Sequence, residues 1–195
     1  MSLSRAEHSV IDSWTKNASP LAGQYFRSVE YRIMDPAEVL SGAGAKKYGG
    51  RFAQVGTRAV YLSESDAGAS GEVLARKLRL GGQAQISLEK YPRIVFAVAV
   101  SLSRVVDLRR SPRVRSAASL RQSCLALDDL SVSMEVGSVL AKGRIQGVLF
   151  PSVVGADANL VVYVQNCPRS SLTILNADEL KAKVQEMARR LRGAS

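Results

Sequence analysis

One histidine, two cysteines and one tryptophan stand in 195 residues. The histidine, His8, falls in the N-terminal segment, which removes most ways of activating a serine or cysteine nucleophile with imidazole and any multi-histidine metal site. Cys124 and Cys167 are too few for a disulfide scaffold and share no metal-ligand spacing, so they read as small buried hydrophobes and no metal is expected. The apolar stretches at Ile94 to Ser103 and Gly147 to Ala156 stop well short of the roughly 20 residues a bilayer span requires. No membrane segment is therefore expected. The N-terminal residues show no basic flank followed by an apolar core, so no secretory signal is expected and the cytoplasm is the default compartment.

Hydrophobic residues make up 46% of the chain and charged residues 23%, which excludes wholesale disorder and a fibrous repeat. At roughly 150 residues per domain the length fits one domain with at most an appended element. Twenty-seven basic against seventeen acidic residues leave a net charge of +10, which favours an anionic partner without choosing between nucleic acid, nucleotide, membrane surface and acidic protein.

The element pattern is mixed. Ser4 and Glu7 form a capping-box pattern ahead of Ala6, Val10, Ile11 and Trp14, which predicts a helix over residues 4 to 17 ending before Pro20. Residues 1–20 read as a helical extension packed on a domain spanning 21–195. A strand is expected at Gln24 to Ser28, then a long stretch from Glu30 to Gly56 that reads as an ordered functional loop or a loop with one helical turn. Ala59 to Ser63 reads as a strand, and Ser65 or Asp66 caps a helix that runs to about Leu80, with Ala69, Val73, Leu74 and Leu78 inward and Gly81-Gly82 as its stop. Two strands, Arg93 to Leu102 and Arg104 to Leu108, precede a break at Ser111-Pro112 and an arginine-rich helical stretch. A helix near Met134 to Lys142, strands at 145–150, 159–165 and 172–175, and a closing helix spaced by Leu180, Val184, Met187 and Leu191 complete one mixed α/β domain.

Several segments offer chemistry. Ser41 to Arg51 joins permissive glycine backbone to three cations, as phosphate binding requires. It lacks the Lys and Ser/Thr of a P-loop and the third glycine of a dinucleotide fingerprint, so a solvated glycine turn is the plainer reading. Arg109, Arg110, Arg113, Arg115 and Arg121 form a basic stretch suited to phosphates, but no aromatic residue is interleaved with them, which favours a solvated helix face over a nucleic-acid groove. Contact with an acidic protein is the alternative. Glu72 lies beside the inward-facing Val73 at the boundary of the core; an exposed Glu72–Arg76 pair is the plain alternative. Ser152 follows Phe150-Pro151 and can serve simply as a turn hydroxyl.

Taken in order, Tyr25-Phe-Arg27, Tyr48-Gly-Gly-Arg-Phe52, Ala59-Val-Tyr-Leu-Ser63, Gly71-Glu-Val-Leu74 and Gly147-Val-Leu-Phe-Pro-Ser152 resemble the RES domain, over residues 24 to 165. The resemblance implies an α+β, ADP-ribosyltransferase-like fold, a single domain with a mixed, split β-sheet core flanked by helices. It implies a toxin of a type II toxin–antitoxin system that takes NAD+ as substrate and cleaves its nicotinamide–ribose bond. An Xre-like antitoxin is the implied partner, and nucleic acid is met only through it. By the same resemblance Glu72 is catalytic, Arg27 and Arg51 hold phosphates or ribose, Tyr61 lies beside the nicotinamide, and Ser152 is the late serine of the motif set. A protein mono-ADP-ribosyltransferase is the alternative within that class, and a basic RNA-binding module the alternative outside it. Phe52-Ala53 stands where the family commonly has Trp-Asn, and Arg76-Lys77 where it is often more apolar or bears histidine.

The residues suit such a reaction. Nicotinamide is cationic in NAD+ and departs without being protonated, so neither a histidine nor a second carboxylate is needed as general acid. One carboxylate facing an oxocarbenium-like transition state is enough to favour that state over the ground state.

Overall fold

A computed structural model describes residues 3–30, 38–79 and 93–193. Six strands are described: β1 (Ser19–Glu30), β2 (Ala59–Ser63), β3 (Arg93–Asp107), β4 (Gly147–Pro151), β5 (Ala158–Tyr163) and β6 (Leu172–Ile174). Six α-helices accompany them: α1 (Arg5–Lys16), α2 (Ala43–Tyr48), α3 (Asp66–Arg79), α4 (Arg115–Leu125), α5 (Ser131–Lys142) and α6 (Ala177–Gly193). The result is a single-domain α+β fold around a mixed sheet.

Strands β2, β5 and β4 form one antiparallel group, and β1, β3 and β6 form another. The groups join where β3 runs parallel to β4, from Val105–Gly147 to Asp107–Leu149. They join again at one bridge between β1 and β2, Phe26 to Ser63. Beyond that bridge β1 stays with β3 while β2 stays with β5, so the sheet is split beside β2.

Period-two alternation gives the split sheet two cores. Val60, Leu62, Leu149, Leu160 and Val162 meet Tyr25, Val29 and the alternating Ile94 to Leu102 side of β3. On the opposite face Val148, Phe150, Val161 and Tyr163 meet Ile11 of α1, Leu120 and Cys124 of α4, and Val136 and Leu140 of α5. The capping box of α1 is formed, with Ser4 N donating to Glu7 Oε2 at 2.7 Å and Glu7 N to Ser4 Oγ at 3.3 Å.

Several expected boundaries move. β1 begins at Ser19, because the segment through Pro20 pairs with the far end of β3 across an irregularity between Ser19 and Leu21. The two strands expected at 93–102 and 104–108 are one. The Gln146 Oε1 accepts from Ser103 N at 2.6 Å and Arg104 N at 3.3 Å. This side-chain acceptor carries the strand past a position where the buried alternation changes phase and both Val105 and Val106 are buried. The arginine-rich helix begins only at Arg115. Arg109 is held by Asp107 and Glu64, and Arg121 folds back onto the carbonyls of Leu108 at 2.7 Å and Arg109 at 2.9 Å. The expected uniform solvated helix face is thus divided between a loop and a helix. The stop at Gly81-Gly82 and the side chains of Leu74 and Leu78 lie outside the described residues.

The glycine-rich segment folds as α2 between two left-handed glycines, Gly42 at φ 70° and Gly49 at φ 66°. A Cβ on Gly42 would stand 2.7 Å from the Ala59 nitrogen, so glycine allows this turn to lie against the start of β2. Its amides are used internally: Lys46 N donates to Gly42 O, Gly49 N to Ala45 O and Gly50 N to Ala53 O. The turn thus does structural service.

Candidate active site

Helix α3 begins where β2 ends. Ser65 Oγ accepts from Gly68 N at 2.9 Å, an N-terminal cap, and is also bonded to the Asp157 carboxylate. Gly68 and Gly71 face the strands on successive turns. A Cβ on Gly68 would come 2.6 Å from Ser63 Oγ, and one on Gly71 3.1 Å from Val154 Cγ2. The two missing side chains let the helix descend onto the end of β2 and the β4–β5 turn, and they place Glu72 against that turn.

Three donors converge on a single oxygen there. Glu72 Oε1 accepts from Ser152 Oγ at 2.7 Å, Val153 N at 3.0 Å and Asn159 Nδ2 at 2.7 Å. Among the described residues none donates to Oε2. Ser152 Oγ in turn accepts from Val154 N at 3.1 Å, which leaves its proton for the carboxylate. Ser152 is therefore more than a turn hydroxyl, and the side chain of Arg76, the alternative partner of Glu72, lies outside the described residues.

Arg27 enters from the other side of the split. Just past the Phe26–Ser63 bridge its Nη1 donates to the Tyr61 carbonyl at 3.0 Å, filling an acceptor at the edge where β1 leaves β2. Arg27 Nε is buried, and among the described residues none accepts a hydrogen bond from it. Burial, with Arg93 nearby, pulls the guanidinium down to about 10, so it stays charged at neutral pH. A buried cation that retains an unused donor is costly unless something anionic or polar meets it.

Tyr61 links this group to the third. Its hydroxyl donates to the Arg51 carbonyl at 2.8 Å, and a Cβ on Gly50 would lie 2.6 Å from that hydroxyl oxygen. Glycine at position 50 makes room for the ring. The Arg51 guanidinium reaches the end of α4, with Nη1 3.3 Å from the Cys124 carbonyl and Nη2 3.0 Å from the Ala126 carbonyl. These are the terminal acceptors that a helix leaves unmatched. Arg51 thus ties the turn, β2 and α4 together, and a phosphate would have to draw it away from those carbonyls.

Phe52 and Ala53 are fully buried, at 0% exposure each. Phe52 adopts φ 61° and packs its ring 5.1 Å from that of Phe150. Its carbonyl accepts from the Tyr163 hydroxyl at 2.9 Å. In this chain the pair therefore serves core packing.

The structure brings Glu72 and Ser152 into direct contact, and Arg27, Tyr61 and Arg51 into one backbone-linked chain. Both groups are anchored on the five residues of β2. Sequence reasoning missed Asn159 and Ser63. Their signal is a polar residue on the inward phase of an apolar strand: Asn159 is 7% and Ser63 2% exposed. Two cavities of about 320 and 390 Å³ lie elsewhere, one beside Arg93 and Lys183, the other beside Gln146 and Ser171. Neither is lined by Glu72, Arg27 or Tyr61. Burial pushes the thiols up, Cys124 to about 12 and Cys167 to about 11, so neither offers a nucleophile near neutral pH. No described helix is long and apolar enough to cross a membrane, and no group of three metal-binding side chains occurs among the described residues.

A search of curated proteins gave no match. Among solved structures, a chain of the crystal structure of the M. tuberculosis MbcT–MbcA toxin–antitoxin complex is similar, with 26% identity and a TM-score of 0.72. The alignment covers 95% of this chain and 98% of that one. The family model described as RES domain matches residues 27–184, well over half of the sequence, a range within which the five candidate positions fall. The chain belongs to the RES domain family.

Proposed function

We propose that this protein is the toxin of a toxin–antitoxin pair and that it consumes NAD+ by breaking the bond between nicotinamide and ribose C1′. The observation that carries the reading is the arrangement along β2: a carboxylate held through one oxygen near Ser63, and a buried arginine with an unused donor bonded at Tyr61. These two positions are separated by roughly 7 Å of strand. A dinucleotide brings the matching features, a ribose at one end of the reacting bond and a pyrophosphate further along.

Glu72 orients the ribose 2′-hydroxyl and faces the positive charge that develops on the sugar. The C1′–N electron pair leaves with the pyridine ring, which thereby loses its charge, and the resulting oxocarbenium ion is captured by an acceptor. Arg27 meets a phosphate or ribose oxygen through its guanidinium, which offsets the cost of its burial. The Tyr61 ring flanks the nicotinamide, and Ser152 keeps the carboxylate in place. Arg51 supports this surface through Tyr61 and α4, and its own contact with the dinucleotide is part of the proposal. Catalysis comes from a preorganised charge and requires no general acid.

An Xre-like antitoxin is the proposed partner, on the +10 charge balance and the similarity to a chain from a toxin–antitoxin complex. The cytoplasm, where NAD+ is available, is the proposed site of action. The test is incubation of the purified chain with NAD+, with and without inorganic phosphate or candidate protein acceptors, and identification of the products. Release of free nicotinamide is expected, with the fate of the ADP-ribose reporting the acceptor. No release, together with tight RNA binding that weakens steeply with salt, would contradict the reading.

A further inference from the structure

The hydrogen-bond pattern around Asn159 runs one step beyond the carboxylate. Ser63 Oγ donates to Asn159 Oδ1 at 2.9 Å, and Asn159 Nδ2 donates to Glu72 Oε1 at 2.7 Å. Ser63 and Asn159 are register partners on β2 and β5, facing the same side of the sheet, and both are buried. An amide turned the other way would set its oxygen against the carboxylate, so Glu72 itself fixes which end of the amide faces it, and the Ser63 hydroxyl holds the amide in place from its far end.

We infer that Ser63 and Asn159 form a positioning relay for Glu72. The relay, with Ser152 and the Val153 amide, saturates Oε1 and leaves Oε2 as the oxygen presented to substrate. This rests on the proposed NAD+ reaction. Neither residue touches the reacting atoms in this account. They act by fixing the carboxylate rotamer, and a small misplacement of a catalytic group is enough to slow a reaction by about 100-fold. The location supports the assignment: Ser63 ends the strand that also carries Tyr61, and Gly68 leaves room for its hydroxyl beneath α3.

Three variants test the relay: Ser63→Ala, Asn159→Ala and the double variant, each confirmed as folded by circular dichroism and assayed for nicotinamide release. Each single variant is expected to lose about 10- to 100-fold in kcat with KM nearly unchanged. The double variant is expected to lose no more than Asn159→Ala, because both act through one contact. Losses that multiply, a change confined to KM, or wild-type kcat in Asn159→Ala would each overturn the inference. A second measurement separates it from the proposed reaction: the Asn159 side-chain amide signals, followed by 15N-resolved NMR. They are expected to move in both Ser63→Ala and Glu72→Ala. If they move but the wild-type chain releases no nicotinamide, the relay exists and the proposed reaction fails; if they stay in place, the relay fails whatever the activity.

Discussion

Arg27 and Tyr61 are joined by one hydrogen bond, 3.0 Å from Nη1 to the tyrosine carbonyl, at the point where β1 and β2 part. The contact uses one of the arginine's donors and leaves buried Nε without a partner among the described residues. The fold thus retains a cation it has not fully satisfied, an arrangement that favours binding at a cost in stability.

The first prediction follows from that cost. Folding lowers the Arg27 pKa from its ordinary value to about 10, equivalent to about 3 kcal/mol of destabilisation while both states are charged. The penalty is present below about pH 10 and is relieved as pH rises through that value, because only the unfolded chain then keeps its proton. Arg27→Met removes the charge and forfeits a hydrogen bond of about 1 kcal/mol. It should raise stability by about 1–2 kcal/mol, each kcal/mol being worth about 2–4 °C in Tm for a chain this size. NAD+ binding by calorimetry should weaken. In the unaltered protein, Arg27 should cause no pH dependence of binding between about pH 7 and 9. Unchanged affinity in the variant would remove Arg27 from the site.

Tyr61 separates the hydroxyl from the ring. Tyr61→Phe deletes the donor to the Arg51 carbonyl and should lower stability by about 0.5–1.5 kcal/mol, while nicotinamide release persists within a few-fold. Tyr61→Ala also removes the ring surface and should raise KM substantially. Steady-state kinetics on the two variants, with thermal melts, check the distinction; equal losses in both would place the role in the hydroxyl.

Two glycines in helices should respond oppositely. On α5 a Cβ at Gly137 would lie 2.0 Å from the Phe52 carbonyl oxygen, itself fixed by Tyr163. Gly137→Ala should therefore cost at least about 3 kcal/mol or prevent folding. Gly44, in α2, has nothing within 4 Å of an added Cβ. Gly44→Ala should be neutral or stabilise by up to about 1 kcal/mol. Thermal melts of the two variants compare them directly.

Local signals were legible where each element carried its own pattern. The capping box placed α1, and the short apolar run Ala59–Ser63 placed β2 with the observed bounds. Pairing was not. Nothing between Arg93 and Asp107 announces that Gln146, far along the chain, carries one strand through a change of phase. At the site, Glu72 and Ser152 were legible only through an ordered set of short motifs, because their contact spans 80 positions. Asn159 lay hidden in an apolar strand, and its significance depends on two partners brought to it by other elements. The guanidinium of Arg51 shows the same limit: its nearest carbonyls belong to the end of a helix more than 70 residues away.

The most direct test is nicotinamide release from NAD+ by the wild-type chain and by Glu72→Gln, purified alike and matched by circular dichroism. The account predicts turnover by the wild type and a loss of at least about 100-fold in the variant, which keeps the shape of the side chain but not its charge. Full turnover by Glu72→Gln would contradict it.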